Sequence, residues 1–120
     1  MVPADVVEAA GCQLATVDEV FAAADLITLH CPSSAQTRGI INRNSLAKTK
    51  RGVLLVNLSR GDLVDSTALV EALDSGQVAA AALDVFAPEP IPADHPILKR
   101  NNVILAPHIA SVSVRAVRTL

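Results

Sequence analysis

Three segments of this 120-residue sequence place a chemically useful polar residue directly after a run of aliphatic residues. In the first, Val53–Val56 runs into Asn57-Leu58-Ser59-Arg60-Gly61-Asp62-Leu63-Val64-Asp65. A guanidinium there presents a planar fork of donors that matches a carboxylate and stays charged at any working pH. Gly61 would permit a backbone turn closed to other residues. Taken alone, Arg60 is equally a surface residue that caps its turn or pairs with Asp62 or Asp65. In the second, Ala82-Leu83-Asp84-Val85-Phe86-Ala87-Pro88-Glu89-Pro90 holds Glu89 between two prolines, which limits its backbone freedom. Asp84 lies inside the apolar run, where an ionised carboxylate is costly without a partner. It is either hydrogen-bonded structurally or turned toward a polar ligand. In the third, Leu105-Ala106-Pro107-His108-Ile109-Ala110-Ser111 puts a histidine where a general acid or base could stand. A neighbouring glutamate would fix its tautomer and favour the imidazolium.

Each residue alone has a plain structural reading: a turn arginine, a loop glutamate, a hydrogen-bonded core histidine. Their succession changes the weighing. In a βαβ pattern the ends of successive strands fall on one edge of a sheet, and that edge is where ligands bind. An anion clamp, an acid/base and an orienting carboxylate are what reduction of a 2-oxo acid at its carbonyl requires. His30, at the end of Leu26–Cys31, either lines a cofactor cleft or only caps the strand. His95, between Asp94 and Pro96, reads as exposed and inert. No His, Cys and carboxylate group has metal-ligand spacing, so no metal is expected.

The elements that must position these residues follow from local signals. Pro3 to Ala10 suggests a helix and Gln13-Leu14-Ala15 a short strand. Thr16-Val17-Asp18-Glu19 has capping-box spacing and opens a helix to about Ala24. A strand over Leu26–Cys31 stops at Pro32, a polar connection spans Ser33 to Asn42, and Ser45–Lys48 reads as a short helix. Val53–Val56 is the clearest strand. Asp65 caps a helix over Thr67–Asp74 that Gly76 ends. Strands over Val78–Val85 and Val103–Ala106 flank a stiff loop containing Pro88, Pro90, Pro92 and Pro96, in which no helix or inner strand can sit. Ser111 to Leu120 looks helical. Alternating strands and helices imply α/β architecture with a parallel sheet.

Composition narrows the class. The chain is long enough for one domain, half its residues are hydrophobic, and Phe21 and Phe86 supply its aromatic packing. Such aliphatic runs suit strands buried on both faces. A formal charge of −2 gives no case for nucleic acid or an anionic membrane. Its apolar runs are too short to span a bilayer. Cys12 and Cys31 read as small buried hydrophobes in a reducing compartment. With no export signal at the start, a cytoplasmic location is expected. Both ends look cut through a larger fold.

His30-Cys31-Pro32 with Thr37 and Ile41-Asn42, then Asn57-x-x-Arg60-Gly61-x-x-Val64-Asp65, then Asp84-Val85-Phe86 with Glu89-Pro90, then Pro107-His108 together resemble the D-isomer-specific 2-hydroxyacid dehydrogenases. The resemblance covers nearly the whole chain in order. It implies a partial Rossmann-type doubly wound parallel sheet lacking the first βαβ unit, the C-terminal portion of a dinucleotide-binding domain with the substrate domain absent. By that resemblance Arg60 holds the substrate carboxylate and carbonyl, His108 is the acid/base and Glu89 its partner. His30, Cys31, Pro32, Asn57, Leu58, Ser59, Arg60, Asp84, His108, Ala110 and Ser111 would border the nicotinamide side of NAD, with NADP not excluded. The family acts on small 2-hydroxy and 2-oxo acids, and a homodimer is implied for the intact enzyme. The departure is large. The glycines, at 11, 39, 52, 61 and 76, compose no GxGxxG turn, so pyrophosphate binding at a helix N-terminus is not provided for. The acidic ribose residue would fall just before Met1. Two other readings stay open: a dinucleotide-sensing or protein-interaction module that keeps the reacting residues as relics, and a piece with no activity of its own.

Overall fold

The computed structural model describes residues 2–119. Helix α1 (Ala4–Ala9) and helix α2 (Val17–Ala23) lead into strand β1 (Leu26–Leu29). Helix α3 (Arg43–Ala47), strand β2 (Val53–Asn57), helix α4 (Ser66–Ser75) and strand β3 (Val78–Leu83) follow. A 3-10 turn over Pro96–Lys99, strand β4 (Val103–Leu105) and helix α5 (Val114–Thr119) complete the order. The sheet is parallel throughout, in the order β1-β2-β3-β4. This is the α/β architecture that the alternating apolar runs imply.

Caps explain where the helices begin. Thr16 accepts from the Glu19 N–H while Glu19 reaches back to the Thr16 N–H, closing the expected capping box. Asn42 and Ser45 make a second box, which starts α3 at Arg43 rather than at Ser45. Asp65 accepts from the Ala68 N–H to open α4, and Gly76 ends it at φ 79°, a left-handed position. Ser113 accepts from the Ala116 N–H, so α5 starts later than Ser111; Leu120 lies outside the described residues.

Cross-strand register sorts the sheet into two faces. Ile27, Leu55 and Ala81 align on one side with Leu29, Asn57 and Leu83. These residues are buried with Phe21 of α2, Leu46 of α3, and Leu69 and Leu73 of α4. On the other side Leu26 aligns with Leu54 at 49% and 40% exposure, and Ile104 of β4 reaches 73%. Burial on both faces, expected from the aliphatic runs, therefore holds for one face only. The period of two along each strand sends alternate side chains to opposite sides, and the helices of the core cover one of them.

Two local expectations change. Gln13-Leu14-Ala15 is irregular and exposed, with no strand alongside among the described residues to complete a hydrogen-bonded ladder. Cys12 is exposed rather than buried, whereas Cys31 is half-buried and packs against the core. The polar connection before α3 is anchored at Ile41. Ile41 is fully buried, its N–H bonds the Leu63 carbonyl at 3.0 Å, and its carbonyl accepts from Asp65 at 2.8 Å. No helix among the described residues is long and apolar enough to cross a membrane.

Leu69 at 0% exposure and Ile104 at 73% provide an internal comparison. Leu69→Ala is expected to lower unfolding free energy by about 2–5 kcal/mol in urea denaturation. Ile104→Ala should stay within about 0.5 kcal/mol of the parent.

Candidate active site

All the site segments leave the carboxyl edge of the parallel sheet, as the strand-end positions require. After β2, Asn57 shapes the turn from beneath. It is fully buried, its Nδ2 donates to the Arg60 carbonyl at 2.8 Å, and its Oδ1 accepts from the Ser59 N–H at 3.1 Å. Ser59 Oγ donates to the Cys31 carbonyl at 2.7 Å, tying this turn to the end of β1. Arg60 lies exposed, its Nη1 donating to the Ser59 carbonyl. Among the described residues its guanidinium makes no ion pair. Asp62 instead pairs with Arg38 at 3.3 Å and accepts from Ser33 Oγ, while Asp65 is used as the α4 cap. The two carboxylates that offered Arg60 a structural role are thus engaged elsewhere.

After β3 the chain carries Asp84, at 2% exposure, and then the proline-rich loop. Asp84 Oδ1 accepts from the Ile109 N–H and Oδ2 from the Ala110 N–H, both at 2.8 Å. Burial pushes its carboxyl up. The two backbone donors, with His108 nearby, more than reverse that, and the group stays below its usual range. Its partners are the residues just after His108, which itself stands at φ 59°, in the left-handed region rarely used by residues with a side chain. The carboxylate therefore fastens the turn that presents the imidazole.

His108 Nδ1 lies 2.8 Å from Glu89 Oε2, and Glu89 Oε1 accepts from the Phe86 N–H at 2.8 Å. The hydrogen bond from His108 first, and the Phe86 N–H second, hold the Glu89 carboxyl below its ordinary 4.5 against the opposing effect of burial. An ionised carboxylate accepts only, so Nδ1 carries the proton and Nε2 is left as the exchangeable nitrogen. Arg60, Glu89 and His108 line one open cleft of about 350 Å³ together with Ser33, Asp62 and Phe86. Phe86, Glu89 and His108 also border a second cleft with Pro90, Ile91 and Pro107.

Several placements differ from the sequence reading. His95 is half-buried rather than exposed and inert. Its Nδ1 accepts from the Ile97 N–H at 3.1 Å and its Nε2 lies 3.3 Å from Ser66 Oγ, so it caps the 3-10 turn and ties the loop to α4. Pro96 opens that turn inside the stretch expected to exclude helix, because the first position of a turn needs no N–H. Gly61 is outside the left-handed region, so conformational freedom is not its purpose. Ser33 lines the cleft without having been singled out, and Asp62, considered only as a partner for Arg60, lines it bound to Ser33; pairing across a sequence gap of 29 residues leaves no local signal. His30 lies exposed with Nε2 3.0 Å from Thr28 Oγ1. Leu58 and Pro32 are exposed beside the Ser59–Cys31 link, and Ser111 sits in the exposed turn before α5. Among the described residues no cluster of His, Cys and carboxylate side chains forms a metal site.

A parallel sheet whose strand ends gather, among the described residues, an arginine without an ion pair and a carboxylate-bound histidine is of the nucleotide-binding α/β type. The family description "D-isomer specific 2-hydroxyacid dehydrogenase, NAD binding domain" matches residues 2–110, and the chain belongs to this family. It is 48% identical over 99 residues to a hydroxypyruvate reductase of Blautia hydrogenotrophica, covering 82% of this chain and 31% of that protein. A glyoxylate reductase from Paecilomyes thermophila superposes with a TM-score of 0.88 at 36% identity, over 99% of this chain and 35% of that one. A D-isomer specific 2-hydroxyacid dehydrogenase from Xanthobacter autotrophicus Py2, solved with NADPH and MES, superposes at 0.78 with 37% identity, over 83% of this chain and 32% of that one. The chain thus spans about a third of the length of these relatives.

Two outcomes check this geometry. Asp84→Ala should speed hydrogen exchange at the Ile109 and Ala110 amides while leaving the α4 amides unchanged. For Glu89, the folded value lies below the unfolded one, so its stabilisation is present above 4.5 and disappears as pH falls through the lowered folded value. Thermal melts of Glu89→Gln and the parent should therefore differ near neutrality and converge well below pH 4.5.

Proposed function

We propose that this chain is the nicotinamide-side portion of a dinucleotide-binding domain, acting within an enzyme that interconverts a D-2-hydroxy acid and its 2-oxo acid. The single observation that supports the reading best is the pairing of a free Arg60 guanidinium with a Glu89-bound His108 in one cleft. Arg60 binds the substrate carboxylate and orients the carbonyl. His108 donates the proton at Nε2 to the carbonyl oxygen in reduction and takes it back in oxidation. Glu89 keeps the imidazole in the tautomer that makes Nε2 reactive. NAD or NADP, when bound, supplies or accepts the hydride at the carbonyl carbon.

The residues present fit one end of that cofactor. Exposed Pro32 and Leu58 offer apolar surface beside the Ser59–Cys31 link, and Asp84 steadies Ile109 and Ala110. In this reading His30 and Ser111 complete the nicotinamide side. The glycine spacing provides no phosphate-cradling turn, so the pyrophosphate and ribose contacts belong to residues beyond these. The intact Glu89–His108 hydrogen bond favours catalysis over a relic used only for binding.

The test is reduction of glyoxylate or hydroxypyruvate by NADH in the protein containing this chain together with the remaining domain. His108→Ala should lower kcat by about 10²–10⁴-fold, the range for loss of a general acid. Arg60→Ala should lower kcat/KM by about 10–100-fold, chiefly through KM. Unchanged turnover in His108→Ala would refute the acid/base assignment.

A further inference from the structure

Gly61 occupies a position with no room for a side chain. A Cβ built there would lie 2.0 Å from the Phe86 carbonyl carbon, 2.1 Å from its oxygen and 2.6 Å from the Ala87 nitrogen. All three are backbone atoms, so no rotamer change relieves the clash. We propose that Gly61 is a positioning residue: its bare Cα lets the Arg60 turn close directly on the Phe86–Ala87 peptide and so sets the separation between the anion clamp and the Glu89–His108 pair. The inference rests on the roles proposed above for those residues.

Both sides of the contact are anchored, which makes it a stop rather than a loose touch. On one side, Asn57 holds the Arg60 carbonyl, the Asp62 carbonyl accepts from Gly39 at 2.9 Å, and Leu63 is fully buried. On the other, the Asp84 N–H bonds the Asn57 carbonyl at 3.0 Å, Val85 is 2% exposed, and the Phe86 N–H is bound to Glu89. A methyl group at position 61 must therefore displace one loop or the other. If Phe86–Ala87 moves, its N–H leaves Glu89 and the support of the imidazole changes. If Arg60–Gly61 moves, the guanidinium shifts in the cleft. Close packing converts a single methyl group into a change of site geometry.

The decisive variant is Gly61→Ala in the protein containing the full chain, read without turnover. The Glu89 carboxyl is titrated by NMR, and oxalate, a planar dicarboxylate, is titrated as a probe of the Arg60 side. The proposal expects the Glu89 midpoint to rise toward 4.5 or oxalate binding to weaken by roughly 10–100-fold, with amide shifts at the far end of α4 unchanged. A folded Gly61→Ala protein with both titrations as in the parent overturns it. Should the variant not fold, the parent's nuclear Overhauser contact between a Gly61 Hα and the Ala87 amide proton decides: its presence supports the close approach and its absence overturns it. A parent that fails to reduce 2-oxo acids would defeat the proposed reaction while leaving the titration result to judge Gly61 independently.

Discussion

The carboxylate of Asp84 sits at the end of a central strand with almost no access to water. Such a group needs donors, and here they come from the two amides that follow His108. The bond runs from the end of β3 to the turn after β4, so two adjacent strand ends become one unit. It also supports a backbone conformation at His108 that a residue with a side chain seldom adopts. Sheet, turn and imidazole direction thus share one ionic anchor. A neutral residue at position 84 would fill the space without satisfying both amides.

Around that anchor the site is arranged by division of labour among acidic groups. Asp84 fastens the turn, Glu89 holds the imidazole, Asp62 binds Ser33 and Arg38, and Asp65 caps α4. Each carboxylate has its own donor, and Arg60 is left without an ion pair among the described residues. In the proposed function that guanidinium is the group available to a ligand carboxylate.

Much of the fold was legible because its signals are local. The Thr16–Glu19 box, the Asp65 cap and Gly76 each act within a few residues, and the apolar runs at β1 to β4 declare their own strands. Strand ends place Arg60, Asp84 and His108 on a common edge as soon as the strands are taken as parallel. The misread positions depended on distant partners. His95 looked idle because Ser66 is far off in sequence. Gln13–Ala15 looked like a strand because alternation says nothing about whether a neighbouring strand is there to pair with it.

The amino-acid sequence by itself determined the residue types at the strand ends, the parallel α/β plan, the caps, and the likeness to a 2-hydroxyacid dehydrogenase domain. These rest on short-range periodicity and on chemistry that a side chain carries wherever it goes. Only the tertiary structure decided which carboxylate meets which donor, that Arg60 makes no ion pair among the described residues, and that Gly61 sits in close approach rather than at a left-handed turn. The physical reason is that hydrogen bonds and steric contacts between loops depend on ångström-scale distances. Packing of the whole sheet sets those distances, and no local pattern records them.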